Sequence, residues 1–388
     1  MDYIKRDLER KFLHMSSAFK AVMVVGARQV GKSTMLKHLA NDQNRTYVTM
    51  DDTQLRSFAQ SDPKLFLQIY QPPILIDEIQ KAPELFEEIK ILCDESDERG
   101  RFWLTGSQSR KLVKKAGDSL AGRLCILTMY SLSAREKLGI NPKEALEFSL
   151  GPLAARKKLF GENSILATFE TIWRGGLPDV QTKDEEQLGE YFNSYIETYL
   201  MRDAVDDYGI SDTQGFRKFL RACAAFAGQL INYNDLGTSA GVSGVTAKEW
   251  VKVLQSMGIV FLLEPYASNE LKRLIKKPKL YFCDTGFCAY LSSWTTRDVL
   301  MNGAASGHYY ENYVIGELLR NFTYGKNKVN LNFFRDNKMK EIDLIIEEGG
   351  VLHPVEIKKS SVPDKSAAKS FSELKSSGRP IGTGAVIC

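Results

Sequence analysis

The chain has 388 residues, 43% of them hydrophobic and 26% charged, with a formal net charge of +4. That balance excludes a disordered chain and describes a soluble globular protein with room for two or three domains. No run of roughly 18 uncharged apolar residues occurs, so no spanning helix and no membrane partner are expected, and Met1 to Asp7 lacks the apolar core of a signal peptide. Cys93, Cys125, Cys223, Cys283, Cys288 and Cys388 show neither metal-ligand nor disulfide spacing and read as reduced thiols of a cytoplasmic protein. The mild positive charge permits nucleic acid as a partner without arguing for it.

In chain order, residues 1–20 place Leu8, Phe12 and Leu13 among charges and read as a helix. Its Arg6 either reaches a ligand or lies on a solvated face. Ala21-Val22-Met23-Val24-Val25 is a β-prone apolar run, and a helical pattern covers Met35 to Ala40. Between them lies Gly26-Ala27-Arg28-Gln29-Val30-Gly31-Lys32-Ser33-Thr34, which spells Gly-x4-Gly-Lys-Ser. This is the phosphate-cradling loop in the strand-to-helix setting it requires. Its backbone N–H groups would turn inward around a β-phosphate at a helix N-terminus, with Gly26 and Gly31 allowing the close approach. Lys32 would reach the β- and γ-phosphates of ATP, and the Ser33 hydroxyl would bind Mg2+.

Arg45 to Met50 alternates like a strand. Pro73-Ile74-Leu75-Ile76-Asp77-Glu78 is an apolar run of the kind a parallel strand buried on both faces shows, and it ends on two carboxylates. The carboxyl end of such strands is where open α/β sheets bind ligands. Asp77 would hold the Mg2+ through water beside Ser33, and Glu78 would orient and deprotonate the attacking water. The bland alternative is a pair of solvated loop carboxylates. Arg101 to Gln108 is a further strand with a polar end; Ser107 or Gln108 could bond the lytic water, or the end is a plain polar turn. Arg123 precedes the β-like run Leu124 to Met129. Its guanidinium could offset charge on a transferring phosphoryl group, in the same or a neighbouring subunit, or form a structural salt bridge.

Four stretches together, Gly26–Thr34, Ile76–Gln80, Leu104–Ser109 and Ser119–Arg123, resemble a prokaryotic AAA+ ATPase family. Its members join an N-terminal ATPase to a C-terminal region of unknown function. The resemblance continues through Gly175-Gly176-Leu177-Pro178, Tyr195 to Asp203 and Asp284-Thr285-Gly286. It implies an AAA+ sheet with strand order 5-1-4-3-2, ATP and Mg2+ as cofactors, and, from ring-forming relatives, a homo-oligomer of unspecified number.

Residues 151–215 are helical in pattern and read as a lid or connector, with the Tyr191, Tyr195 and Tyr199 stripe as core. Residues 216–295 read as three helices, the third opening at the cap Ser243. A strand pair follows, its connection carrying Lys272, Arg273, Lys276 and Lys277. That order describes a winged helix, with Lys248, Lys252 and the wing cations facing DNA or, alternatively, a lid or protein-docking module.

Residues 296–388 hold a helix from Gly307 to about Phe322 and strands at 331–335, 341–347 and 351–358. Gly349-Gly350 is a two-residue hairpin turn that sets Asp343 opposite Glu356, with Lys358 on the face of Glu356. Facing carboxylates call for a cation between them, and Mg2+ would suit the gap. This resembles the PD-(D/E)xK nuclease core of archaeal Holliday-junction resolvases, which implies Glu311 as the helix carboxylate of a metal site with Asp343 and Glu356. A degenerate fold kept for structure or for holding DNA is the alternative. The apolar end Gly382 to Cys388 reads as a strand cut short of further chain.

The expected fold class is therefore α/β: an AAA+ P-loop sheet over residues 1–150, the connector, the winged helix, and a restriction-endonuclease-like α/β domain. The expected activity is ATP hydrolysis acting on DNA, as motor or gated nuclease. The alternative is an ATP-dependent switch that docks a protein partner, with the nuclease-like domain inert.

Overall fold

A computed structural model gives the fold. It describes residues 3–388 except 42, 108–109, 141–145, 161–163, 268–276, 326–328, 337–338 and 361. The chain divides into two compact units, residues 1–141 with 256–258, and residues 142–255 with 259–388.

The first unit is a parallel sheet wrapped by helices. Its strands are β1 (Ala21–Gly26), β2 (Thr46–Thr49), β3 (Ile74–Asp77), β4 (Phe102–Ser107) and β5 (Leu124–Thr128). They lie in the order β2-β3-β4-β1-β5, the order expected of the ATPase sheet, and every pairing is parallel. Residues of β1 and β3 are buried throughout, as strands sandwiched between helices must be. Met23, Val25, Ile76 and Leu104 belong to one core with Phe66, Phe86 and Ile89. On the sheet, Phe12 of α1 (Leu8–Ser16) meets Trp103 edge to face at 4.8 Å, and the indole N–H donates to Ser16 Oγ at 2.8 Å. The helix α2 (Lys32–Ala40) follows β1 directly.

The N-terminal segment is tied to this unit by charge. Arg6 is buried, not on a solvated face, and its guanidinium donates to Val30 O at 2.6 Å, Tyr130 O at 2.8 Å and Glu136 Oε1 at 3.2 Å. Glu136 also accepts the backbone N–H groups of Asp7 and Ser133, both at 2.7 Å. The fork of donors on arginine suits this three-way contact, which a lysine could not reproduce. Arg6 thus grips the backbone of the loop between β1 and α2 rather than reaching for a ligand.

In the second unit, α9 (Ile165–Arg174), α10 (Glu185–Tyr195) and α12 (Thr213–Ala225) precede the short α13 (Tyr233–Ala240) and α14 (Gly244–Ser256), after α8 (Leu150–Phe160); α11 spans Met201–Asp206. A six-stranded sheet follows: β6 (Val260–Pro265), β7 (Lys279–Phe282), β8 (Val329–Arg335), β9 (Glu341–Glu348), β10 (Val351–Ile357) and β11 (Ala385–Ile387), ordered β11-β10-β9-β8-β6-β7. The hairpin strands β6 and β7 therefore share one sheet with the C-terminal strands. Helices α15 (Thr285–Leu291), α16 (Arg297–Asn302) and α17 (Ser306–Tyr324) lie between β7 and β8. Asn312 of α17 grips β7 from both sides, accepting Phe282 N–H at 2.9 Å and donating to Phe282 O at 2.8 Å. Tyr195 is core as expected, its ring 5.5 Å from that of Phe287.

Two glycine motifs form one clasp here. Asp284 caps α15 through Phe287 N–H at 3.0 Å and accepts Gly176 N–H at 2.8 Å. A Cβ at Gly175 would lie 2.2 Å from Asp284 Oδ1, and one at Gly286 would lie 2.3 Å from Arg174 O. The close backbone approach is what these glycines permit.

The buried Arg6–Glu136 pair yields a stability prediction. Arg6→Met should destabilise the first unit by about 3 kcal/mol, because it strands a buried carboxylate. The double variant Arg6→Met/Glu136→Gln should recover at least about 1 kcal/mol of that loss in denaturant unfolding. Additive losses would show that the two side chains are not coupled.

Candidate active site

The loop Gly26–Thr34 owes its shape to two glycines with different reasons. Gly31 has φ 97°, a left-handed conformation that favours glycine, at the point where α2 begins. Gly26 answers first to packing: a Cβ there would sit 2.2 Å from Met129 O, because the chain leaving β5 runs alongside it. Lys32 is buried, and its ammonium donates to Ala27 O at 2.8 Å and Gly26 O at 3.1 Å. It is thus folded back onto the loop that it would serve. Arg28, Gln29 and Val30 form the loop's outer turn, with Gln29 at φ 61° and Val30 held by Arg6. Ser33 faces inward, whereas Thr34 is exposed.

Asp77 is the meeting point of the site. It ends β3 and is buried. Its Oδ1 accepts the Ser33 hydroxyl at 2.6 Å and the Thr105 hydroxyl, and its Oδ2 accepts the Tyr47 hydroxyl at 3.2 Å. Elements β2, β3, β4 and α2 thus converge on one carboxylate. The parallel register explains this: Thr49 lies beside Asp77, and Leu104 beside Ile76, so all three strands end at the same edge. Glu78 follows in the left-handed conformation, φ 56°, and its N–H donates to Thr105 Oγ1 at 3.0 Å. A non-glycine residue held there carries strain of order 1 kcal/mol or more, and such strain concentrates at functional sites. Ser107 pairs with Gly26 across β1 and β4, so it too stands at this edge. Its hydroxyl is buried and is among the few described side-chain polar atoms without a hydrogen-bond partner. Gln108, the other candidate at this strand end, lies outside the described residues.

Thr105, Tyr47 and Gln80 belong to the site and were missed by sequence reasoning. Thr105 had a signal. It is a hydroxyl that directly continues the apolar run Phe102 to Leu104, and a buried hydroxyl needs a partner. Tyr47 reaches Asp77 from the neighbouring strand, and Gln80 accepts the Ser107 N–H at 3.3 Å from the end of β4, contacts that no local pattern carries.

Arg123 is not brought to the phosphate loop. Ala21 pairs with Leu124, which sets Arg123 at the amino end of β1 and β5, about 20 Å of strand from Gly26. There it forks onto Asp94, with Nη2 to Oδ2 at 2.9 Å, and donates to Ala121 O at 2.8 Å. The structural salt bridge is the role found within the chain, and the phosphoryl contact in the same chain is corrected.

In the second unit, β9 and β10 pair Glu348 with Val351 through Leu344 with Val355, so Asp343 falls across from Glu356 as expected. Both turn glycines have positive φ, 58° and 82°, as a type I′ turn requires. The three-carboxylate metal set is not assembled, however. Among the described residues, no three His, Cys, Asp or Glu side chains are placed to hold a metal ion. Cations and hydroxyls of the chain itself pair with these carboxylates. Glu311 accepts from Lys279 Nζ at 2.9 Å and from the Tyr281 hydroxyl, and Lys279 also pairs with Glu341 at 2.5 Å. Lys358 pairs with Glu356 at 2.6 Å and stands 4.0 Å from Asp343, whose Oδ2 accepts Ile357 N–H at 2.8 Å. Glu356 Oε2 is buried without a partner. Burial pulls the Lys279 ammonium down, but Glu311 and Glu341 outweigh it and hold it above the usual lysine range. Burial, with Glu311 and Glu356 nearby, pushes the Asp343 carboxyl up to about 7. Of the expected DNA-facing cations, Lys248 is exposed on α14, Lys252 pairs with Glu249, and Lys277 is exposed. Lys272, Arg273 and Lys276 lie outside the described residues.

Three segments match known families: residues 18–138 an AAA domain, residues 166–298 a domain of unknown function (DUF8612), and residues 306–388 a second one (DUF4143). An uncharacterized protein of Mycobacterium tuberculosis is 28% identical over 357 residues, covering 91% of this chain and 73% of its own length. One of Methanocaldococcus jannaschii is 22% identical over 320 residues, covering 76% of this chain and 66% of its own. Among solved structures, the Walker-type ATPase of Pyrococcus abyssi aligns over 75% of this chain and 96% of its own, at 14% identity and TM-score 0.45. The RuvB Holliday junction branch migration motor of Thermotoga maritima aligns over 66% and 89%, at 16% and 0.31. Both scores lie below the level that shows a shared fold. No described helix is long and apolar enough to cross a membrane. Residues 18–138 are an AAA-type P-loop ATPase domain.

Proposed function

We propose that this protein is a Mg2+-dependent ATPase whose hydrolysis is coupled to DNA. The observation that carries the ATPase reading is the convergence of Ser33, Thr105 and Tyr47 on the buried Asp77 carboxylate, with Glu78 adjoining it. The Ser33 hydroxyl and Asp77 carboxylate, 2.6 Å apart, are hard oxygen donors of the kind Mg2+ takes alongside water and phosphate. Bound there, Mg2+ would neutralise charge on the phosphate oxygens of ATP. Lys32 exchanges two neutral carbonyl partners for phosphate oxygens, a gain because the new acceptors carry the opposite charge. Glu78 takes the proton of the attacking water. The partnerless Ser107 hydroxyl is available to hold that water or the γ-phosphate.

Support for DNA comes from the order of elements in the second unit. Three helices α12 to α14 lead into the antiparallel pair β6–β7, the order of a winged helix, and Lys248 is exposed on the third helix. The C-terminal sheet is then a nuclease-like fold whose carboxylates are closed by Lys279 and Lys358, and its part is to hold DNA.

Two experiments test this reading. Glu78→Gln should bind ATP within about twofold of wild type and hydrolyse it about 10²-fold or more slowly, the scale of a lost general base. In the same assay one form of DNA, duplex, single-stranded or four-way junction, should raise wild-type turnover several-fold, with binding that weakens steeply in salt. Undiminished turnover in Glu78→Gln would remove Glu78 as base. A DNA-indifferent rate with no salt-dependent binding would replace DNA by a protein partner.

A separate prediction concerns Asp343. Its folded pKa of about 7 lies above the ordinary 3.8, so the folded chain keeps a proton that the unfolded chain releases. That contribution is complete below about pH 4 and is lost as pH rises through 7. Thermal stability of the second unit should therefore fall between pH 5.5 and pH 8, and Asp343→Asn should flatten the decline. An unchanged slope in the variant would assign the titration elsewhere.

A further inference from the structure

Gln80 occupies a position in the first unit that the reaction as described leaves unused. It lies in the single 3-10 turn Ile79–Lys81 after β3, two residues beyond Glu78. Its side-chain amide spans two elements: Nε2 donates to Glu78 Oε2, and Oε1 accepts the backbone N–H of Ser107 at 3.3 Å. These two partners set the orientation of the amide, since only its carbonyl can accept an N–H and only its NH2 can donate to a carboxylate. The end of β4 is built to receive it. A Cβ at Gly106 would come within 3.0 Å of Gln80 Oε1 and 2.4 Å of Leu112 Cδ2, so a side chain there would crowd the amide.

We propose that Gln80 is a positioning residue that sets the Glu78 carboxylate against the tip of β4, and so links the strand end carrying Ser107 to the base. The proposal rests on the reading of Glu78 as general base. The backbone of Glu78 is already pinned, since its N–H donates to Thr105 Oγ1 at 3.0 Å. Its side chain still has free torsions, and a base must be held close to the water it activates for its proton transfer to count. Gln80 restricts those torsions by taking one carboxylate oxygen and leaves the other for the water. It does so from a turn anchored to β4 and not from α2, so the base is referenced to the strand that carries Ser107. Neither asparagine, one methylene shorter, nor glutamate, which has no amide to donate, meets both partners.

The test is steady-state ATP hydrolysis by the full chain with Mg2+, together with equilibrium binding of a fluorescent ATP analogue, for wild type, Gln80→Ala, Gln80→Glu and Glu78→Gln. Gln80→Ala and Gln80→Glu should each lower kcat at least tenfold, while KM and the analogue's Kd stay within about threefold and the melting temperature is unchanged. A merely structural role would move Kd and melting temperature together with kcat. Wild-type kcat in Gln80→Ala beside an inactive Glu78→Gln would overturn the role of Gln80 while leaving the base in place. So would a Gln80→Glu variant that keeps wild-type kcat, because the amide donation would then not matter. Wild-type turnover in Glu78→Gln would overturn the base reading and this inference with it.

Discussion

The Asp77 carboxylate is the constraint on which the rest of the first unit's chemistry depends. It is buried at the end of a strand whose neighbours on both sides are parallel to it, so three strand ends and the start of α2 reach it together. A buried carboxylate is costly unless its oxygens are satisfied, and here three hydroxyls do so, from Ser33, Tyr47 and Thr105. The same hydroxyls fix where the neighbouring groups lie. Thr105 also receives the N–H of Glu78, which locks that residue into its left-handed turn. Thus one charge, placed by sheet topology, organises the serine of the phosphate loop, the base beside it and the strand end beyond.

The phosphate loop depends on a second contact from outside the sheet. Arg6 holds the Val30 carbonyl while bonding Tyr130 and Glu136, so the segment before α1 grips the outer turn of the loop. Three carbonyls of the loop are thus held, Val30 by Arg6 and Gly26 and Ala27 by Lys32.

Much of this was legible in the residues, for identifiable reasons. The apolar runs Ala21–Val25 and Ile74–Ile76 announce strands buried on both faces, and polar residues at their ends announce the ligand edge. Gly349-Gly350 admits one hairpin register, and that register sets Asp343 across from Glu356. What stayed hidden depends on distant partners. Arg123 could be read toward a phosphate because its sequence neighbours do not reveal Asp94, and only the strand register shows that it stands at the far edge. Arg6 reads from the sequence as either a ligand contact or a surface charge because Glu136 and Val30 lie far along the chain. Glu311 matched a metal-site pattern, yet Lys279, from a strand assigned to a different segment, already holds it. A motif supplies residue types; occupancy by the chain's own cations is a tertiary property.

The central claim, that the cluster at Asp77 is a working ATPase site, is tested most directly by phosphate release from ATP by the full chain and by Asp77→Asn. The substitution keeps the shape of the carboxylate and removes its charge. The account predicts turnover in wild type that needs added Mg2+ and stops with a chelator, and a loss of at least 10²-fold in Asp77→Asn with the fold retained. Wild-type turnover in Asp77→Asn, or none in the wild-type chain with any DNA present, would contradict it.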